Sequence, residues 1–309
     1  MPWLSPEFAR EQSDILASRL IGRGLRSIGI LAKNSIDWAL LELAATSAGI
    51  CRVPLPTFFS DAQLSHVLTS ARIDAIFTDD PQRLKGLSKN LTCTPSVLPG
   101  QDCLLHCGGE HEIAELATVT FTSGTTGEPK GVCLQQSQLD TVIASLTRLV
   151  PKGKHLTLMP MSTLLETTAG LHMPLRRGTP VCIPDANSAS IVDSLLETGA
   201  ETAITTPALL QQIVDAGERL PSLRFLAVGG APVPAQLLAD SAALGLPVYE
   251  GYGLSEAGSV VSLSTPQHHR VGSSGRRLPH CDVRIENGEI VLCDHQFGGY
   301  LGEAPHRGD

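Results

Sequence analysis

A chain of 309 residues exceeds the usual size of one hydrophobic core, and its 42% hydrophobic content with a formal charge of -8 points to two compact units or one large layered α/β domain. With a mean hydropathy of +0.09 and no unbroken apolar run approaching the length of a bilayer crossing, no membrane span is expected, although peripheral contact stays open. The acidic balance disfavours general nucleic-acid binding by counterion release but leaves room for a local basic pocket for phosphates.

The first residues, MPWLSPEFAREQSD, carry charges where a secretory leader needs its apolar stretch, so a cytoplasmic location is expected. Eight cysteines scattered through a chain of this size read as free thiols. Cys103, His106, Cys107 and His111 supply four candidate zinc ligands within nine residues. Tetrahedral sites usually draw on two separated ligand pairs, however, which favours a Cys/His-rich surface loop.

In chain order, the apolar spacing predicts a helix over 8–20, a buried strand over 27–31, a helix over 36–47 and a strand over 52–55. A helix over 61–70, capped by Ser60, and a strand over 74–77 continue the βαβ rhythm. After a polar, irregular stretch over 79–115, the alternation resumes with a strand over 117–121, a Gly/Thr-rich loop and a helix over 137–149. Strands are expected over 155–159, 180–183, 201–205, 223–228 and 247–249, and helices over 164–175, 189–197, 207–216 and 234–244. From about residue 259 the texture changes to short β segments over 260–263, 281–285 and 289–292, the last two joined by the hairpin signal Asn287-Gly288. The expected architecture is parallel sheets covered by helices over 1–258, followed by a β-rich segment over 259–309.

The loop after the 117–121 strand reads TSGTTGEPKG, from Thr122 to Gly131. Glycines let a backbone approach a phosphate closely, hydroxyls add donors, and Lys130 supplies a mobile positive charge, so the loop reads as a polyphosphate cradle. It is not a Walker A loop, since Pro129 precedes Lys130 and Gly131 follows it. Its composition alone also fits a solvated hairpin turn. Two further clusters, Gly229-Gly230-Ala231-Pro232 and Tyr249-Glu250-Gly251-Tyr252-Gly253-Leu254-Ser255-Glu256, follow expected strands, and ligands in open parallel sheets bind at the carboxyl ends of strands.

The three clusters together resemble the adenylate-forming superfamily of acyl-CoA synthetases, luciferases and peptide-synthetase adenylation domains, and the match runs over nearly the whole chain. The resemblance implies two parallel, helix-covered sheets of that family's N-terminal body with a small β segment, and ATP and magnesium as ligands. It implies that Thr122, Ser123, Gly124, Thr125, Thr126, Gly127 and Lys130 hold the outer phosphates. Gly230, Ala231 and Pro232 would line the adenine site, with Tyr252 stacking on the base between Gly251 and Gly253. Ser255, where the family usually has threonine, would bond the α-phosphate, and Glu256 would hold magnesium, as a hard cation prefers carboxylate oxygen. Asp309 matches the ribose-binding Asp of a Thr-Gly-Asp motif in which Arg307 here replaces the threonine. Read without the resemblance, Tyr252 fits a core aromatic, Glu256 a helix N-terminal carboxylate and Asp309 a frayed terminus.

On the acyl side, Met159 to Glu166 (MPMSTLLE) is similar to the long-chain acyl-CoA synthetase form Leu-Pro-Leu-Ala-His-Val-Phe-Glu, with Thr163 in the place of His. Amino-acid-activating relatives carry a Phe-Asp pair that is missing here, so a fatty or other amine-free acid is expected, with Ser162, Thr163 and Leu254 at the acyl site. Coenzyme A or a carrier-protein thiol would accept the acyl group. Because the family brings a lysine from a C-terminal domain, the resemblance also implies that this sequence represents the body alone, completed by that domain or by a partner chain; the alternatives are an aryl- or amino-acid adenylation domain, or a nucleotide-binding protein without turnover.

Overall fold

A computed structural model describes residues 3–87, 92–94, 104–106, 113, 115–122, 128–184, 190–293 and 297–303, with 92–94 and 104–106 as backbone only. The candidate zinc ligands Cys103, Cys107 and His111, the loop residues 123–127, and Asp309 lie outside the described residues.

Two large sheets form, each with a parallel centre. In the first, strands run in the order Trp3–Leu4, Val181–Cys182, His155–Leu156, Thr202–Thr205, Phe225–Val228, Val248–Leu254, Ser259–Leu263 and Arg276–Arg277. In the second the order is Thr92–Thr94, Leu104–His106, Ala75–Thr78, Ser27–Leu31, Cys51–Pro54, Thr118–Thr122 and Lys130–Leu134. The expected βαβ strands occupy the centres. Runs such as Ser27–Leu31 are buried at every position, the pattern of a strand covered on both faces. The edges depart from expectation, because the irregular 79–115 stretch contributes two short antiparallel strands and Lys130–Leu134 pairs antiparallel with Thr118–Thr122.

Five layers result. Leu64, Val67 and Leu84 of the helices Asp61–Ala71 and Pro81–Leu87 cover one outer face, and Leu195, Leu210 and Leu237 of three further helices cover the other. Between the sheets lie the helices Pro6–Gly22 and Ile36–Ala48, whose Leu20 and Trp38 share a core with Phe77 of one sheet and Val181 of the other. The helix Gln136–Leu149 shares this inner layer and packs its Val142 and Leu146 against Ile204, Phe225 and Val260.

Local chemistry explains the helix starts. Ser60 and Gln63 form a complete capping box, and Ser35 accepts the Trp38 N–H. The helix expected over 164–175 instead begins as a π-helix over Glu166–His172 before tightening at Met173–Arg176. The Met173 N–H reaches back five residues to the Thr168 carbonyl, and Pro174 has no N–H with which to restore the tighter ladder. At the far end, Asn287 and Gly288 both take positive φ (51° and 83°) and close the hairpin of Asp282–Glu286 with Glu289–Cys293, as their sequence signals. The strand Ser259–Leu263, by contrast, hydrogen-bonds to Val248–Leu254 and extends the first sheet.

A buried polar joint ties the inner layer together. Arg52 Nε donates to Glu42 Oε1 at 3.0 Å and Nη1 to Gln136 Oε1 at 3.2 Å, while His172 Nε2 lies 3.3 Å from the same Glu42 oxygen. Burial alone would push the Glu42 carboxyl up, but the Arg52 guanidinium and His172 outweigh it and hold the group below its ordinary range. Arg52→Ala strands a buried carboxylate and is expected to cost about 3–5 kcal/mol in urea denaturation. The Glu42 contribution is present above its ordinary value of 4.5 and lost as the pH falls below it, so the penalty should shrink in acid. A penalty under about 1 kcal/mol at neutral pH, the level of an exposed pair, contradicts this role.

Candidate active site

Thr122 and Lys130 face each other as the last register pair of two antiparallel strands, so residues 123–129 connect two strands of one sheet rather than a strand to a helix. The loop's exit is steered from outside the hairpin, where the His66 ring Nε2 lies 3.1 Å from the Pro129 carbonyl oxygen. Lys130 is exposed, and its ammonium stands 5.1 Å from the centre of the Tyr300 ring. The Tyr300 hydroxyl donates to Glu256 Oε1 at 2.7 Å, and Gln138 Nε2 donates to the Glu256 carbonyl at 2.9 Å. Two residues singled out by sequence, Lys130 and Glu256, thus meet through a third that was not. The hydrogen bond to Glu256, followed by burial and the charges of Glu256 and Glu303, pushes the Tyr300 hydroxyl up to about 12.

Tyr300 reaches this corner because the chain returns along the edge strand. The Cys133 N–H donates to the Gly299 carbonyl at 3.0 Å and the Leu301 N–H to the Gly131 carbonyl at 2.8 Å, with Val132 and Tyr300 paired between them. The only sequence signal was the Phe297-Gly-Gly-Tyr300 aromatic pair, whose rings now pack edge to face at 5.1 Å.

Beside this corner lies a cavity of about 400 Å³ between the first sheet and the inner helices. Thr163, Gly230, Gly251, Tyr252, Gly253, Leu254 and Ser255, all expected site residues, line it. Its mouth is marked by Tyr252, 36% exposed, and its closed end by His155, Phe225 and Leu146, none above 2%. Phe225 is backed by Tyr249, stacked on it at 4.7 Å. Ala231 and Pro232 are exposed next to Gly230 without lining the cavity. Ser162 instead lines a neighbouring cleft with Asn34 and Thr57, at a turn in which the Thr163 N–H donates to the Pro160 carbonyl at 2.9 Å. The Tyr252–Leu254 segment is a strand with a register shift between Tyr252 and Gly253. Any side chain at Gly253 would run into the Ser259 carbonyl, so glycine is required there.

Beneath the cavity the π-helix buries Glu166 completely. Its Oε1 stands 3.8 Å from His155 Nε2, too long for a hydrogen bond, and neither carboxylate oxygen has a hydrogen-bond partner among the described residues. His155 Nδ1 pairs with Thr202 Oγ1 at 3.0 Å. Gly170 leaves the room this carboxyl occupies, since a Cβ there would overlap Glu166 Oε1. Burial raises the Glu166 pKa, and His155, Thr157 and the Met159 backbone only partly oppose it.

A family model described as AMP-binding enzyme matches residues 3–301. Among curated proteins, 2-succinylbenzoate–CoA ligase of Bacillus mycoides (strain KBAB4) is 26% identical over 91% of this chain and 60% of its own length. Long-chain-fatty-acid–CoA ligase FadD13 of Mycobacterium tuberculosis (strain CDC 1551 / Oshkosh) is 25% identical over 94% of this chain and 62% of its own. The chain therefore spans under two thirds of the length of these relatives. Among solved structures, the anthranilate CoA ligase AuaEII in complex with anthranoyl-AMP shares the fold at a TM-score of 0.79 and 16% identity, covering 96% of this chain and 65% of that one. The o-succinylbenzoate CoA synthetase of Bacillus subtilis with its acyl-adenylate intermediate gives 0.75 and 20%, covering 96% of this chain and 84% of that one.

Glu166 ionises less readily folded than unfolded, so its contribution to stability is greatest below its ordinary value of 4.5 and is lost as the pH rises through the raised folded value. Glu166→Gln is expected to gain stability relative to the unsubstituted chain as the pH is raised from about 4.5 to about 8. Urea unfolding across that range measures the difference, and a difference that stays flat contradicts the placement of a carboxyl whose pKa is raised by burial.

Proposed function

Since this chain belongs to the AMP-binding enzyme family, we propose that it binds ATP with a carboxylic acid, joins them as an acyl-adenylate, and thereby readies the acyl group for a thiol such as coenzyme A. The observation that carries the reading is the convergence of Lys130, Glu256 and Tyr300 beside a mostly apolar cavity whose mouth holds Tyr252, Gly230 and Ser255.

A carboxylate transfers its acyl group poorly because its oxide is a bad leaving group. Attack by the carboxylate oxygen on the α-phosphorus expels pyrophosphate and leaves AMP as the later leaving group. Work of this kind is mostly positioning and charge neutralisation. Thr122, with Ser123, Gly124, Thr125, Thr126 and Gly127, would cradle the outer phosphates, with Lys130 neutralising them from the start of the next strand. Ser255 would donate to the α-phosphate, and Gly230, Ala231, Pro232 and Tyr252, flanked by Gly251 and Gly253, would hold adenine. Asp309 would take the ribose.

Magnesium fits at Glu256. Among the described residues no three His, Cys, Asp or Glu side chains gather into a metal cluster. Glu256 would supply carboxylate oxygen to a cation there, the ligand type a hard ion such as magnesium prefers. When bound, the ion would offset the charge of the departing pyrophosphate.

No acidic side chain lines the cavity among the described residues, so nothing there would hold a substrate ammonium. That favours an amine-free acid with an apolar body. A fatty acid suits the aliphatic walls Leu146, Val150, Leu165 and Met173, with Thr163 and Leu254 near the reacting end. An aryl acid is the second reading, favoured by the stacked Phe225–Tyr249 pair at the closed end. No helix among the described residues is long and apolar enough to cross a membrane.

Calorimetry should give saturable ATP binding in the presence of magnesium, weakened at least about tenfold by Lys130→Ala or Glu256→Gln, the scale of losing a charged hydrogen-bond partner. Absence of binding by the folded protein defeats the nucleotide reading. Non-hydrolysable adenylate analogues test the acyl side. Decanoyl or benzoyl sulfamoyl-adenosine should bind at least about tenfold tighter than an aminoacyl analogue, whose ammonium would be buried without a partner, and the reverse order defeats the amine-free assignment.

A further inference from the structure

The Lys130–Tyr300–Glu256 corner contains a cation and an anion with different duties, which would neutralise each other if they closed into an ion pair. Tyr300 touches both. Its ring face sits 5.1 Å from the Lys130 ammonium, and its hydroxyl gives one hydrogen bond of 2.7 Å to Glu256 Oε1. The ring attracts the ammonium without removing its charge, and the hydroxyl orients the carboxylate without cancelling its own.

The side chain is well placed to do this, because Tyr300 pairs with Val132 on the same strand that begins with Lys130. The backbone bonds from Cys133 to Gly299 and from Leu301 to Gly131 bracket it, and Phe297 packs against the ring at 78°. Glu256 is held from the other side through its carbonyl by Gln138, on a one-turn 3-10 segment over Ser255–Ala257. The second sheet therefore positions Tyr300, and Tyr300 positions a carboxylate that belongs to the first.

We propose that Tyr300 is a positioning residue that fixes the Glu256 carboxylate for a divalent cation while keeping Lys130 separate from it and available to phosphate. The assignment rests on the nucleotide reading given above. Removing the hydroxyl alone disturbs only the metal side, whereas removing the ring also lets Lys130 close onto Glu256.

The test is ATP titration of the 309-residue chain by calorimetry, once in EDTA and once across a magnesium series. Tyr300→Phe should raise the magnesium concentration giving the half-maximal effect about tenfold, as expected for loss of a hydrogen bond to a metal-binding carboxylate. Its ATP affinity in EDTA should match that of the unsubstituted chain. Tyr300→Leu should shift the magnesium midpoint at least as far and also weaken ATP binding in EDTA severalfold. A residue serving only the fold would change both readouts together in Tyr300→Phe, along with the melting temperature. If the unsubstituted chain binds ATP and Tyr300→Phe keeps its magnesium midpoint, the positioning role is wrong and the nucleotide reading stands. If the unsubstituted chain binds no ATP, both are wrong.

Discussion

The buried ion pair between Arg52 and Glu42, extended by Gln136 and His172, ties together four elements of the inner layer and the second sheet. Arg52 sits in a central strand of the second sheet, Glu42 on an inner helix, His172 on the π-helix and Gln136 at the start of the helix that packs beneath the first sheet. With both side chains of the pair only 3% exposed, neither charge can be satisfied by water if an element shifts. Thr118 carries the constraint onward, since its hydroxyl donates to the Arg52 carbonyl at 2.8 Å, and from there the strand runs straight to Thr122. The strand pair Thr118–Thr122 and Lys130–Leu134 is thus set relative to the inner layer by a network near its base.

This joint matters because the proposed nucleotide site is composite. Lys130 comes from an edge strand of the second sheet, and Glu256, Tyr252 and Gly230 come from the carboxyl ends of strands in the first. Tyr300 belongs to a segment that returns more than 150 residues later in the sequence to pair with that edge strand. No one segment contains the corner where an ammonium, a phenol and a carboxylate meet. Antiparallel pairing at the edge also leaves Lys130 at a strand start, where its backbone is held by register while its side chain is exposed beside the Tyr300 ring.

The π-helix shows a different balance. Wider winding over Glu166–His172, with Gly170 opposite, makes room for a buried carboxyl whose oxygens have no hydrogen-bond partner among the described residues. The structure therefore carries a stability penalty directly under the cavity that the proposed function assigns to the acyl group. Neighbouring His155 closes the cavity's deep end and is tethered by Thr202, so the floor of the pocket is polar below and apolar above.

The parts of this molecule that depend on neighbours in sequence were legible without coordinates. Apolar runs marked the central strands, Ser60 marked a helix start, and Asn287-Gly288 marked a hairpin, because a cap or a turn is decided by a few adjacent residues. The order of residues in TSGTTGEPKG and GYGLSE was likewise enough to name the family. Tertiary structure alone decided that Lys130 opens an antiparallel strand, that GYGL continues a strand instead of forming a loop, and that Ser162 and Thr163 face different clefts. It also decided that Tyr300 bridges Lys130 and Glu256. Edge pairing, the face a side chain takes and the return of a distant segment are set by long-range packing, and single-chain periodicity contains no term for which distant strand becomes a neighbour.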